Sequence, residues 1–213
     1  MRNSLQIMAI MLTMAAFAAT AVSCGKDDNE EETPHGVIHD NAITVTLENG
    51  GGDSLNLVGC AIKLVTDDDH AFVETLFGVN GFTLMLPASV DDEFLSAIER
   101  GGIPEGLMVS DPKVKLTTTY LEAYREGQYL GDFYHGSGEW KGYLVYADGE
   151  VEISGSVTDD EGTWTYDAQL KAGWNVMYEK IIEKENWDDN EYEMITRVPE
   201  DARWGFDLEI DGM

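Results

Sequence analysis

Apolar and polar residues alternate with a period of two over much of this chain. Ala42 to Leu47 puts Ile43, Val45 and Leu47 on one side and Thr44 and Thr46 on the other, the pattern of a half-buried strand. Leu55 to Val65 is a longer, mostly apolar run that predicts a central strand. It is entered from the turn Asn49-Gly50-Gly51-Gly52-Asp53 and left through Asp67-Asp68-Asp69. Ala71 to Phe77 and Phe82 to Leu86 predict a hairpin across Val79-Asn80-Gly81, because Asn-Gly favours tight turns. Further on, Val114 to Tyr124, Tyr129 to His135, Gly142 to Tyr146, Val151 to Ile153, Thr163 to Tyr166 and Trp174 to Tyr178 read as strands. Tyr192 to Thr196 and Trp204 to Leu208 complete the set. Gly136-Ser137-Gly138, Asp148-Gly149 and Asp159-Asp160-Glu161-Gly162 supply turns between them. One short helix is predicted after Ser89. Asp91, Asp92 and Glu93 suit its first turn, Phe94, Leu95 and Ile98 share a face, and Gly101-Gly102 ends it. Short strands recurring every about 8–12 residues predict a mainly β, antiparallel sandwich or barrel and not a parallel α/β sheet. The expectation is an antiparallel β-sandwich, either one domain or two packed β modules, 41–102 and 103–213, meeting near Ile103 to Pro112.

The N-terminus breaks this pattern. Arg2 precedes a run from Leu5 to Val22 that is almost wholly apolar or small. The run is short for a membrane span and ends in small residues, the form of a cleavable signal peptide over 1–23. The competing reading is a membrane anchor, which wants a longer run with basic residues at its far end. Here the far end is acidic apart from Lys26: Asp27, Asp28, Glu30, Glu31 and Glu32 open a polar tether over 24–40.

Ala21-Val22-Ser23-Cys24-Gly25 resembles the lipobox of bacterial lipoproteins, with Ala21 standing where Leu is common. The resemblance implies cleavage before Cys24 and acylation of its thiol and new amino group. Several acyl chains on one cysteine make a lasting anchor, since each buried methylene contributes about 0.8 kcal/mol. An ordinary secreted cysteine is the alternative. The tract Lys26-Asp27-Asp28 with Glu30-Glu31-Glu32, placed directly behind Cys24, is similar to the lipoprotein export signal of Bacteroidota. That implies the outer membrane, with the body on the cell surface; a solvated tether facing the periplasm remains open.

Charge narrows the partners. The chain carries 41 acids against 13 Lys and Arg, a formal charge of −28. No basic patch balances that, which excludes nucleic acid as an expected partner and leaves the Cys24 lipid as the route to a membrane. Five Trp, nine Tyr and seven Phe supply a core that an acidic disordered chain lacks. With Cys24 acylated, Cys60 in Leu57-Val58-Gly59-Cys60-Ala61-Ile62 has no disulfide partner, and its apolar neighbours predict a buried, inert thiol.

Two weaker likenesses follow. Cys60-Ala61-Ile62-Lys63-Leu64-Val65, then Val79-Asn80-Gly81-Phe82-Thr83-Leu84-Met85-Leu86-Pro87, resembles the prealbumin-like or carboxypeptidase-regulatory-like β-sandwich, whose members are commonly accessory modules. Leu170-Lys171-Ala172-Gly173-Trp174-Asn175 is similar to stretches of uncharacterised Bacteroidota surface lipoproteins and implies no activity.

Candidate chemistry is sparse. Asp67-Asp68-Asp69-His70, Asp159-Asp160-Glu161 and Asp188-Asp189-Asn190-Glu191 are acidic enough for calcium, but none has the alternating acids, central Gly and closing Glu of an EF-hand. Solvated loops account for them, and no metal or cofactor is expected. His35, His39, His70 and His135 are scattered, with Pro34 and Gly36 opposing a helix that would pair the first two. No Gly-x-Ser-x-Gly elbow, phosphate-cradling loop or HExxH occurs. Aromatic residues are the best ligand candidates: Trp140, Trp164, Trp174, Trp187 and Trp204, with Tyr134 and Tyr143, can stack on sugar rings. Core packing is the expected role of Trp164 and Trp174. Trp187, between Asn186 and Asp188, and Trp140, between Glu139 and Lys141, sit in polar settings and are the expected ligand-binding residues. The expected function is non-enzymatic, with no catalytic residue: a lipid-anchored surface protein that binds a glycan or a partner protein. The alternatives are a glycan-active enzyme using paired carboxylates and a structural subunit of a surface assembly.

Overall fold

The computed structural model describes residues 37–47, 57–184 and 190–208. Cys24 and the signal peptide, most of the tether, the turn at 49–53, Trp187 and the acids Asp188 and Asp189 lie outside the described residues. In chain order the strands are β1 (Ile38–His39), β2 (Ala42–Thr46), β3 (Ala61–Thr66), β4 (Ala71–Leu76) and β5 (Gly81–Met85). Next come β6 (Ser96–Ala97), β7 (Leu107–Val109), β8 (Lys115–Arg125), β9 (Gln128–Ser137) and β10 (Trp140–Ala147). The last five are β11 (Val151–Thr158), β12 (Thr163–Leu170), β13 (Gly173–Ile182), β14 (Glu191–Ile195) and β15 (Arg203–Leu208).

The chain is mainly β, built of antiparallel strands in sheets that pack together. A small sheet has the order β1-β2-β5. A large one runs β4-β3-β8-β9-β10-β13-β14-β12-β11-β7, with β15 on β9 and β6 on β8. Among the described residues the pairing of β12 with β14 is the one parallel contact. Local chemistry explains the tight turns. Asp40 and Asn41 join β1 to β2 with φ of 51° and 54°, and Glu126 and Gly127 join β8 to β9 with φ of 52° and 82°. Two consecutive residues of positive φ give the turn whose twist matches the strands it connects.

Two hydrophobic cores lie on opposite faces of the large sheet. In the first, Ile43, Val45 and Leu84 of the small sheet meet Ile62, Leu64, Leu121, Phe133 and Leu144. The second gathers Val145, Val151, Trp164, Tyr166, Met177 and Met194. Leu144 and Val145 are neighbours in β10, yet each enters a different core, because successive side chains of a strand point to opposite faces. Burying each such aliphatic side chain stabilises the fold by about 1.5–3 kcal/mol relative to its exposed state. β10 therefore reads Tyr143-Leu144-Val145-Tyr146-Ala147, an apolar run without alternation, as a strand buried on both sides does.

Three sequence expectations change. The predicted helix after Ser89 is absent: two 3-10 turns, Asp92–Phe94 and Ile98–Gly101, flank β6. Ser96 and Ala97 pair with Leu116 and Lys115 of β8, the Ile98 amide donates to the Val114 carbonyl at 3.1 Å, and the Ile98 side chain enters the second core. So short a helix is marginal alone, and sheet pairing plus burial outweighs its propensity. The predicted hairpin of β4 and β5 is not a hairpin. β4 pairs with β3 in the large sheet and β5 with β2 in the small one, so residues 77–80 arch across the first core. Phe77 and Phe82 drive this, their rings 6.0 Å apart inside that core. Finally, the strand expected over Leu55 to Val65 starts only at Ala61, after a turn closed by the Cys60 amide and the Leu57 carbonyl. The large sheet also runs across the expected meeting point at 103–112, since β3 is laddered to β8 from Ala61↔Tyr124 to Thr66↔Thr119.

Candidate functional site

Strands β8, β9 and β10 do not pair along their whole lengths. β8 follows β9 as far as Leu121↔Phe133, then pairs with β10 from Thr119↔Leu144 onward. β9 pairs with β10 only from His135↔Gly142. At the fork one residue per strand, Tyr120, Tyr134 and Tyr143, has no ladder partner on the other two strands. Alternation puts all three on the face opposite Leu121, Phe133 and Leu144. A cavity of about 240 Å³ opens at the fork, bordered by residues from both faces of the sheet. Its apolar side is the flank of the first core, Leu121, Phe133, Leu144 and Val176, and Trp204 closes one edge.

Two glycines let aromatic rings lie flat across neighbouring strands. A Cβ on Gly142 would sit 2.8 Å from the ring of its cross-strand partner Tyr178, and one on Gly205 would sit 2.4 Å from the ring of its partner Tyr134. The rings cover the backbone that the glycines leave bare. The Tyr120 and Tyr143 rings meet edge to face at 5.7 Å, and Lys141 Nζ lies 5.4 Å above the Tyr134 ring.

The polar side of the cavity is acidic. Asp67, Glu122, Asp132 and Asp207 line it. Lys141 is ion-paired with Asp207. The Tyr124 hydroxyl donates to Glu122 Oε2. Behind Tyr143 lies Glu179, 6% exposed, whose Oε2 accepts from the Tyr143 hydroxyl at 2.7 Å. Burial holds the Glu179 carboxyl above its usual range, against the smaller pull of the Tyr143 hydroxyl and Lys141. Burial first, then the nearby carboxylates, push the phenols of Tyr120 (Asp67) and Tyr143 (Glu179) well up, so both are neutral hydrogen-bond donors. His135 also lines the cavity, with Nδ1 2.9 Å from the Tyr178 hydroxyl and its ring 5.3 Å from Trp204. Burial lowers its pKa.

Of the aromatic candidates read from sequence, the structure brings Tyr134, Tyr143 and Trp204 together at this cavity. Trp140 is half-buried at the start of β10, opposite Ser137 and Lys180, and is not among the cavity's walls. Trp187 lies outside the described residues. Trp164 stacks on Tyr192 at 3.9 Å inside the second core, and Trp174 packs on the first core with Nε1 donating to the Pro87 carbonyl at 2.8 Å. Cys60 is 1% exposed, without a disulfide, and its Sγ is 3.4 Å from Arg125 Nη2. Asp159 holds its own turn by accepting from the Glu161 and Gly162 amides. Among the described residues no group of three or more His, Cys, Asp or Glu side chains is arranged to hold a metal ion. Sequence reasoning missed Tyr120, Asp132, Lys141 and Glu179. A signal was present: Asp132-x-Tyr134 and Lys141-x-Tyr143 repeat charged and aromatic residues on the strand face turned away from Phe133 and Leu144.

Fold and site together define a mainly β protein with a single-ring-sized cavity walled by aromatic and acidic side chains. Compared with known families, with curated proteins and with solved structures, the chain has no match.

Proposed function

We propose that this chain is a lipid-anchored cell-surface protein that binds a small saccharide unit without transforming it, the β body presenting the fork cavity and Cys24 carrying the acyl chains. One observation carries the binding half of the reading: Tyr120, Tyr134, Tyr143 and Trp204 converge on one cavity from four strands. Rings stack on the C–H faces of sugars, while neutral phenols and carboxylates bond hydroxyl groups. At about 240 Å³ the cavity is smaller than the roughly 300–1,000 Å³ of sites for drug-sized ligands, which suits one ring. The anchoring half rests on the residues around Cys24 and the acidic tract behind it.

A panel of neutral and amino monosaccharides titrated into the protein, read by tryptophan fluorescence, tests the binding. A saturable change with at least one of them, lost in Trp204→Phe while the thermal transition is kept, supports the reading. Absence of any saturable change across the panel overturns it.

A protein partner is the second reading, and one feature favours it. β4 edges the large sheet and ends in Leu76, 64% exposed, near Val58 and Val79 at 50% and 78%. An apolar side chain on an open edge invites strand addition by another chain.

A further inference from the structure

We infer that the end of the β body carrying Val58, Leu76 and Val79 sits on the lipid surface that holds the acyl chains, a contact that rests on the Cys24 anchor proposed above. Loops from both sheets form that end. The Leu47 amide donates to the Asn80 carbonyl at 3.3 Å and the Gly59 amide to the Phe77 carbonyl at 2.9 Å, which ties 57–60 and 77–80 together beside the end of β2. The β8–β9 turn at Glu126 and Gly127 lies next to them, because Ala61 opens β3 opposite Tyr124. Val58, Leu76 and Val79 are all exposed there. Single exposed apolar residues need no explanation; here the point where the tether joins the body supplies one. β1 is antiparallel to β2, with Ile38 opposite Ile43 and His39 opposite Ala42, so the chain enters β1 from the Leu47 side, which is the same end. The span 24–36 reaches at most about 45 Å when fully drawn out. β8, 11 residues running from the opposite end of the body to this one, is itself about 35 Å long. To set the opposite end on the membrane, the tether would use most of its reach in passing back along the body. Charge points the same way. The opposite end carries exposed Asp40, Asp68, Asp91 and Glu93, in the β1–β2 turn, the β3–β4 turn and the segment before β6. Among the described residues, loops 57–60, 77–80 and 125–127 hold one acid, Glu126, and one cation, Arg125. Anionic headgroups repel the first end and not the second.

The test puts an environment-sensitive dye at either end of the full-length protein, made in a diderm host and reconstituted into phosphatidylcholine vesicles that contain lipid spin-labelled near the headgroup. Cys60 is buried, so with Cys24 acylated Val79→Cys or Asp68→Cys supplies the reactive thiol. Both positions are exposed, and an unchanged thermal transition checks that the fold is kept. The dye at position 79 should shift to the blue on reconstitution and be quenched several-fold more than the dye at position 68. Leu76→Glu, added to Val79→Cys, should reduce that quenching several-fold while the protein still floats with the vesicles. For acylated protein that floats, equal quenching at the two ends or stronger quenching at position 68 overturns the contact and leaves the anchor standing. Quenching at position 79 that Leu76→Glu does not change also overturns it, because the tether alone would then hold this end near the lipid. A blue shift that grows with protein concentration in detergent, without lipid quenching in vesicles, gives this end to a second chain and overturns the lipid contact. Protein that is unacylated by intact mass and does not float overturns the anchor and the contact together.

Discussion

The Tyr143 hydroxyl reaches diagonally across the β10–β13 ladder to Oε2 of Glu179, 2.7 Å away, and this bond joins the wall of the fork cavity to the margin of the second core. The raised carboxyl of Glu179 means that the folded chain keeps a proton there that the unfolded chain has already released. Stability therefore falls as pH rises from the ordinary glutamate range through the raised value, and the loss is complete above it. Glu179→Gln keeps an acceptor for Tyr143 and carries no charge. The variant should match the wild type near pH 4 and exceed it in stability at pH 8, as measured by urea unfolding across that range. A variant weaker than the wild type at every pH would show that Lys141 and Tyr143 outweigh the burial.

Phe133 is the hub of the first core. It stacks on Phe77 at 5.7 Å, meets Phe82 edge to face at 5.1 Å and packs against Phe206 at 4.8 Å. Phe133→Ala removes all of these contacts and opens a cavity between the sheets. The expected cost is roughly 3–5 kcal/mol of unfolding free energy. Chemical denaturation measures it, and a cost under about 1 kcal/mol would mean that the core collapses around the gap.

Gly142 has no room for a methyl group. Its Cβ would lie 2.7 Å from the His135 carbonyl oxygen and 2.8 Å from the Tyr178 ring. Gly142→Ala should cost about 1–3 kcal/mol through overpacking and should also disturb the cavity, since Gly142 and His135 line it. Tm and the near-ultraviolet dichroism of Tyr178 and its neighbours report the change. An unaltered spectrum with unaltered Tm would show that the tyrosine ring swings aside freely.

Cys24 governs anchoring in the proposed function. Made in a diderm host, the wild-type protein should carry acyl mass and partition into detergent, and Cys24→Ala should do neither. Intact mass and phase separation settle the matter, and protease treatment of whole cells reports which side of the membrane the body faces. An unacylated wild type would leave the binding proposal in place and remove the anchor.

Some of this was readable from the linear pattern. The alternation of Ile43, Val45 and Leu47 marked β2, and Trp164 and Trp174 belonged to the interior as their strands suggested. Period-two patterning is a property of the chain's own geometry, so it survives in any β fold and marks the class and the strands that alternate cleanly. The aromatic candidates were also in view, but beyond the Asp132-x-Tyr134 and Lys141-x-Tyr143 repeats nothing in sequence brought Trp204 to the same cavity or kept Trp140 apart from it. Which strand pairs with which is non-local: Ala61 meets Tyr124 across the sheet, and β4 and β5, adjacent in the chain, part into different sheets. Those choices depend on which core each face can reach, and that depends on every other strand. The helix expected around Phe94 gave way for the same reason, because Ile98 gains more in the second core than a short helix gains alone. By itself, then, the sequence determined the strand-rich character and the acidity. Tertiary structure alone decided that β9 leaves β8 after Phe133 and so draws Tyr120, Tyr134 and Tyr143 from three strands around one opening, because convergence is set by inter-strand register, which no single segment encodes.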